Sequence, residues 1–229
     1  MAKIYLFRHG QTHFNKAKRF TGWLDATWTK EGNSNAKSTA GKLSGKRIDV
    51  AFCSHLKRSK NTLREVLKYH RECERVWVDD RMIERCYGTL QGKSHAQFIA
   101  WHGKELFDRY HRAYDFPPPK GESVKMVERR VRPFIRDLVR FVKKYRVNVA
   151  ISAHGNSMRP FRRHFEKLSV REMMALENPY DDFFEYTVRT RGPRIMPPKS
   201  AWAEVRLPKH VFLATDRHNI LKRYYRKAR

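Results

Sequence analysis

Residues 3–15 read KIYLFRHGQTHFN, an apolar stretch that stops abruptly at Arg8, His9 and Gly10. A short continuous apolar run closed by a glycine reads as a strand covered on both faces. The pattern recurs twice. Residues 48–54, IDVAFCS, lead into HLKRS with Arg58, and residues 147–153, VNVAISA, lead into His154, Gly155 and Asn156. Between these runs the apolar spacing becomes helical. Residues 30–45 carry spaced Ala and Leu, and residues 57–72 put Leu63, Val66 and Leu67 on one face. Residues 122–146 repeat Val124, Val127, Val131, Ile135, Leu138 and Val142, a period that Pro133 should bend without ending. Strands alternating with helices predict a three-layer α/β fold, a central mostly parallel sheet flanked by helices. Ligands of such sheets bind beyond the carboxyl ends of the strands, which is where the three polar junctions fall.

The chain has 229 residues, enough for one sizeable core or a domain with an appendage, and 40% of them are hydrophobic. No apolar run approaches the roughly 18 residues of a membrane-spanning helix, and the first run is too short for a secretion signal. Cys53, Cys73 and Cys86 have neither disulfide-framework nor metal-ligand spacing, so a cytoplasmic location is expected. The net charge of +27, with Arg outnumbering Lys, predicts attraction to polyanions such as phosphorylated metabolites, nucleic acid or acidic proteins. Composition changes near residue 189, so residues 1–189 read as the main domain and 190–229 as a basic C-terminal extension, packed or mobile. Within LKRYYRKAR, Tyr224 and Tyr225 offer rings for base stacking amid cations, so the extension is a candidate contact for nucleic acid or an acidic partner. The plainer reading is a solvated amphipathic terminus.

Two imidazoles, His9 and His154, at the ends of neighbouring strands suit phosphoryl transfer. A neutral ring nitrogen attacks phosphorus while a second, protonated ring and the guanidinium forks of Arg8 and Arg58 hold the oxygens. Backbone amides at Gly10 and Gly155 can approach closely, because no Cβ intervenes. Glu84, in MIERCYGTLQGK, is the candidate acid for the leaving oxygen; an ordinary ion pair with Arg81 or Arg85 is its alternative.

The stretches LFRHGQTHFN, RFTGW, LKRSKNTL, ERCYGTLQGK, GES and AHGNSMR occur in the order and approximate spacing of the histidine phosphatase superfamily. Across residues 3–189 the chain most resembles its cofactor-dependent phosphoglycerate mutase branch. The resemblance implies a metal-independent phosphohistidine enzyme, with His9 as nucleophile and Glu84 as proton donor and acceptor. Arg8, Arg58 and His154 would clasp the phosphoryl group, with Asn15 as a further donor. Thr21, Gly22, Arg85, Tyr87, Gly155 and Asn156 match substrate-contact positions. Arg112 matches the second of an arginine pair whose first place His111 takes. His95 stands where the family has a lysine, with Lys93 as a nearby substitute. The implied reaction interconverts 3-phosphoglycerate and 2-phosphoglycerate, primed by 2,3-bisphosphoglycerate, in a homodimer or homotetramer. The short FPPPKGES loop, which should admit water, makes a phosphate-monoester phosphatase the alternative, whereas RFTGW, ERCYGTLQG and Asn156 resemble the mutase branch. A basic binding protein on this fold is a third reading.

Overall fold

The computed structural model describes residues 1–202; Tyr224, Tyr225 and the polyanion contact expected of them lie outside the described residues. Five strands, β1 (Ala2–Arg8), β2 (Val50–Cys53), β3 (Arg75–Val78), β4 (Val149–Ala153) and β5 (Phe183–Val188), form one sheet in the order β3-β2-β4-β1-β5. Pairing is parallel except for β5, which runs antiparallel to β1. The helices are α1 (His13–Lys16), α2 (Lys30–Leu43), α3 (Lys57–Leu67), α4 (His95–His102), α5 (Lys104–Arg112), α6 (Val124–Tyr145), α7 (Gly155–Glu166) and α8 (Val170–Ala175).

Successive strand side chains point to opposite faces, and here both faces are covered. Ile4, Leu6, Phe52 and Ile151 pack with the Val127, Val131, Leu138 and Val142 stripe of α6 and with Phe161 of α7. Tyr5, Phe7, Ala51 and Ala150 pack instead with Ala40 and Leu43 of α2 and Leu63 and Val66 of α3. This two-sided burial accounts for the unbroken apolar runs. Pro133 lies inside α6 without ending it, and the helix stops at Arg146, whose φ of 60° is left-handed.

The topology also fixes where a ligand can enter. β1 and β4 are neighbours, yet α2, the first long helix after β1, lies on one face of the sheet and α7, the helix after β4, on the other. Diverging connections open a crevice at the carboxyl ends of those two strands. A smaller apolar cluster, Phe20, Tyr87, Leu90 and Phe98 with Phe107 and Tyr110, carries α4 and α5 at that edge.

The described residues beyond β5 pack back onto the domain. Trp202 is buried, its ring 4.6 Å from Phe52 and 5.4 Å from Phe141 between centroids, and its Nε1 donates to Asp79 Oδ2 at 3.0 Å. The change of composition near residue 189 therefore does not mark the limit of the core.

Gly10 and Gly32 make the closest approach. A Cβ on Gly10 would lie 2.1 Å from the Gly32 carbonyl oxygen, and one on Gly32 would lie 1.9 Å from that of Gln11. Gly41, on the exposed side of α2, faces open space. Gly10→Ala is therefore expected to destabilise the protein by ~1–3 kcal/mol or more through forced backbone movement. Gly41→Ala should stabilise it by ~0.5–1 kcal/mol through helix propensity. Urea unfolding of the two variants checks this, and shifts of the same sign would contradict the packing described.

Candidate active site

The turn after β1 fixes the His9 ring. Its Nδ1 lies 2.8 Å from the Gly10 carbonyl oxygen, and Arg58 Nε lies 3.3 Å from its Nε2. A carbonyl only accepts and a guanidinium only donates, so Nδ1 carries the proton and Nε2 presents its lone pair. Burial, then the charges of Arg58 and Arg8, hold the ring's pKa well below the ordinary value near 6.5. His9 is thus a neutral, oriented imidazole, the candidate nucleophile.

His154 is wholly buried at the end of β4, its ring centroid 5.1 Å from that of His9. Ser54 Oγ sits 2.8 Å from its Nε2, while its Nδ1 is buried with no hydrogen-bond partner among the described residues. A protonated second ring was expected, but burial first, then Arg58, keeps this ring neutral as well. Arg58 is anchored through Nη1 to the Leu24 carbonyl at 2.8 Å and through Nη2 to that of Gly22 at 2.7 Å. Its fork therefore holds the loop after Phe20, and its Nε and charge face His9, where a two-pronged grip on phosphate was expected. Burial pulls its pKa down to about 10. Arg8 lies 3.8 Å over the ring of Tyr180 and donates to the Asn178 carbonyl at 2.9 Å, leaving a buried Nε without a partner among the described residues.

Glu84 is not paired with Arg81 or with the Arg85 side chain. Its Oε1 accepts from the Arg85 amide at 2.7 Å and from the Asn156 amide and side-chain nitrogen at 3.2 and 3.0 Å. Arg81 is engaged with Asp79 and Asp137. The loop bearing Glu84 is pinned from α6. Arg130 donates to the carbonyls of Arg81, Ile83 and Glu84 and pairs with buried Glu122, which also accepts from the Cys86 amide. The GES stretch, residues 121–123, thus serves to hold the candidate proton donor in place. Ligand-type atoms of His9, Glu84 and His154 all lie within 4.8 Å of one another. The flanking guanidinium groups of Arg8 and Arg58 make that cluster a site for an anion in preference to a divalent cation.

A cavity of about 390 Å³ opens beside these groups. Arg8, Asn15, Thr21, Gly22, Glu84, Tyr87, His95, His111, Arg112, Gly155 and Asn156 line it, as the sequence suggested. Asn15 Oδ1 accepts from the Thr12 amide and hydroxyl, so its amide nitrogen is left as a donor. Three expectations are corrected. Lys93 is exposed and outside the lining; Lys18, held in a left-handed turn, and Arg19 supply cations there instead. Arg85 stands behind the wall, 4.3 Å over the Tyr87 ring and donating to the Tyr110 and His111 carbonyls. The Gly10 amide donates to Thr62 Oγ1 at 3.1 Å and is committed to the fold. Sequence reasoning missed Arg159, Asn178 and Tyr180, which also line the cavity. Arg159 lay within the quoted AHGNSMR, but the loop before β5 offered no motif.

The far wall is aromatic. His95 meets Phe20 edge-on at 4.4 Å, and His111 stacks on Phe107 at 5.1 Å. Burial lowers the His95 pKa, and burial followed by the Arg85 charge lowers that of His111 to about 4. The folded protein keeps the His111 ring neutral where the unfolded chain protonates it near 6.5. The unfolded state therefore binds more protons as pH falls, so stability is full above ~6.5 and declines toward pH ~4, by up to ~1.4 kcal/mol per pH unit for each such ring. His111→Gln should flatten the decline in urea-unfolding free energy across that window; an unchanged slope would refute the assignment.

The profile of the histidine phosphatase superfamily (branch 1) matches residues 4–196. A 2,3-bisphosphoglycerate-dependent phosphoglycerate mutase of Pseudoalteromonas atlantica is 32% identical over 203 residues, covering 77% of this chain and 89% of that protein. One from Parvibaculum lavamentivorans is 38% identical over 178 residues, covering 76% and 84%. Among solved structures, a mycobacterial glucosyl-3-phosphoglycerate phosphatase in complex with VO3 superposes with a TM-score of 0.70 at 27% identity, covering 81% of this chain and 90% of that one. With its paired imidazoles on adjacent strand ends, this chain belongs to the histidine phosphatase superfamily.

Proposed function

We propose that this protein is a 2,3-bisphosphoglycerate-dependent phosphoglycerate mutase acting through a phosphohistidine at His9 Nε2. The observation that carries the reading is the tautomer of His9, with one nitrogen tied to Gly10 and the other presented, unprotonated, beside Arg58. In the priming step Nε2 attacks a phosphoryl group of 2,3-bisphosphoglycerate, the P–O ester bond breaks, and Glu84 protonates the departing oxygen. In the return step Glu84 takes the proton of the acceptor hydroxyl, whose oxygen attacks phosphorus as the N–P bond breaks. Arg8 and His154 stabilise charge on the transferring oxygens. Lys18, Arg19, Arg112 and Arg159 give the rest of the cavity the sign required by a small phosphorylated carboxylate. The names of the relatives at 32% and 38% identity support this choice. A place in glycolysis and gluconeogenesis, in the cytoplasm, follows from the same reading.

The neutral, aromatic far wall formed by His95 and His111 favours a second reading, a phosphatase in which water replaces the acceptor hydroxyl. The likeness to the mycobacterial phosphatase points the same way. Both readings need the same nucleophile and acid. Purified protein given 3-phosphoglycerate and a trace of 2,3-bisphosphoglycerate is expected to form 2-phosphoglycerate. Release of inorganic phosphate without 2-phosphoglycerate would replace the mutase by the phosphatase. His9→Ala should cost ~10⁴-fold or more in kcat and Glu84→Gln ~10²–10⁴-fold. Turnover by the His9 variant near the wild-type rate would overturn the phosphohistidine scheme altogether.

A further inference from the structure

Helix α6 faces two ways. Its inner stripe is apolar and buried, while every exposed residue along its 22 positions is a lysine or an arginine. Lys125, Arg129, Arg132, Arg136, Arg140 and Lys143 follow one another three or four residues apart, so they share one face, spaced ~4.5–6 Å along the axis. The stripe is ~27 Å long. The helix's acidic residues do not neutralise it. Asp137 pairs with Arg81, and Glu128 is buried, where it binds Arg163 and the Tyr114 hydroxyl and reaches only Arg132 of the stripe. Among the described residues, Lys125, Arg129, Arg136, Arg140 and Lys143 form no ion pair with either of these carboxylates or with Glu122. Like charges at this spacing repel one another, so the arrangement costs stability unless a polyanion lies along it.

We propose that the outer face of α6 binds the phosphodiester backbone of a nucleic-acid duplex, independently of sequence and of the active site. A duplex carries about one negative charge per 1.7 Å of axis, so a cationic rail of this length lies within reach of several phosphates at once. Arginine forks suit phosphate oxygens. The face has no exposed aromatic ring on which unpaired bases would stack, which favours the duplex over a single strand. Nor does a large apolar side chain interrupt it, as lying on a membrane would require. Contacts limited to phosphates position a protein without reading bases.

Fluorescence anisotropy of the full-length protein with a labelled duplex of ~20 base pairs tests the proposal, since that length spans the rail. Arg129→Glu/Arg136→Glu/Arg140→Glu is expected to weaken binding at least tenfold and to reduce the salt slope by about 3, near 0.9 for each phosphate no longer neutralised. The corresponding Arg→Lys triple should retain most of the affinity. Both variants should keep the wild-type turnover, because these side chains are exposed and outside the cavity, and the Arg→Glu triple should melt at or above the wild-type temperature because it relieves like-charge repulsion. A charge-reversed tail, Arg223→Glu/Arg226→Glu/Arg229→Glu, serves as the comparison. Unchanged affinity and slope in the α6 triple, with or without loss in the tail variant, would overturn the proposal. So would binding of polyglutamate but not of duplex by the wild type, which would assign the face to an acidic protein.

Discussion

Charge in a dry place governs this molecule. Two guanidinium groups and two imidazoles converge at the carboxyl ends of β1 and β4, and Glu84 is the acid placed among them. Four charged cations this close would repel strongly in a low-dielectric interior, and removing each from water adds to the cost. The fold meets the difficulty by keeping both rings neutral and by pinning the arginines to carbonyls and to the face of Tyr180. What remains is a region of positive potential in which a buried donor, Arg8 Nε, has no partner among the described residues. Such a region is complementary to a phosphoryl group, and most so when charge builds on its oxygens in the transition state.

The supporting frame is as specific as the cluster. Arg130 and Glu122, both buried, form a charge pair whose remaining hydrogen bonds close on the backbone of the Glu84 loop. A buried pair of this kind is weak evidence for stability, but it defines geometry because every donor has one place to go. Glu84, the candidate proton donor, is therefore held from α6, the longest helix on the sheet, through Arg130. The rim is built differently, from short helices α4, α5 and α8 and from loops, with exposed cations and stacked rings. A rigid floor for chemistry and a looser rim for recognition fit a superfamily whose members act on different phosphate esters.

Much of this was legible in the chain because its cause is local. An apolar run ending in Arg8-His9-Gly10 announces a covered strand and a polar edge, and the residues at three strand ends did meet. Where tertiary packing decided, reading failed. The role of Gly10 lies in a close approach to Gly32, distant in sequence, and its amide goes to Thr62. β5, FFEYTV, is an edge strand whose half-exposed pattern carries less signal than the buried runs. Trp202 follows a Pro- and Gly-rich stretch that reads as a tail, yet its indole fills the gap between Phe52, Phe134 and Phe141. Lys18 supplants Lys93 because a left-handed turn, invisible in composition, places it at the cavity.

The position of β1 has a consequence for how the molecule is made. Of the five described strands it is synthesised first, yet its two neighbours in the sheet are β4 and β5, the last two of the five. At ordinary elongation rates it waits on the order of ten seconds for β4 to be synthesised, with its apolar side chains and both edges uncovered. During that interval the nascent chain displays the kind of sticky segment that chaperones recognise, and His9, which follows it, has no pocket to occupy. The pocket around His9 can therefore form only once β4 has been made.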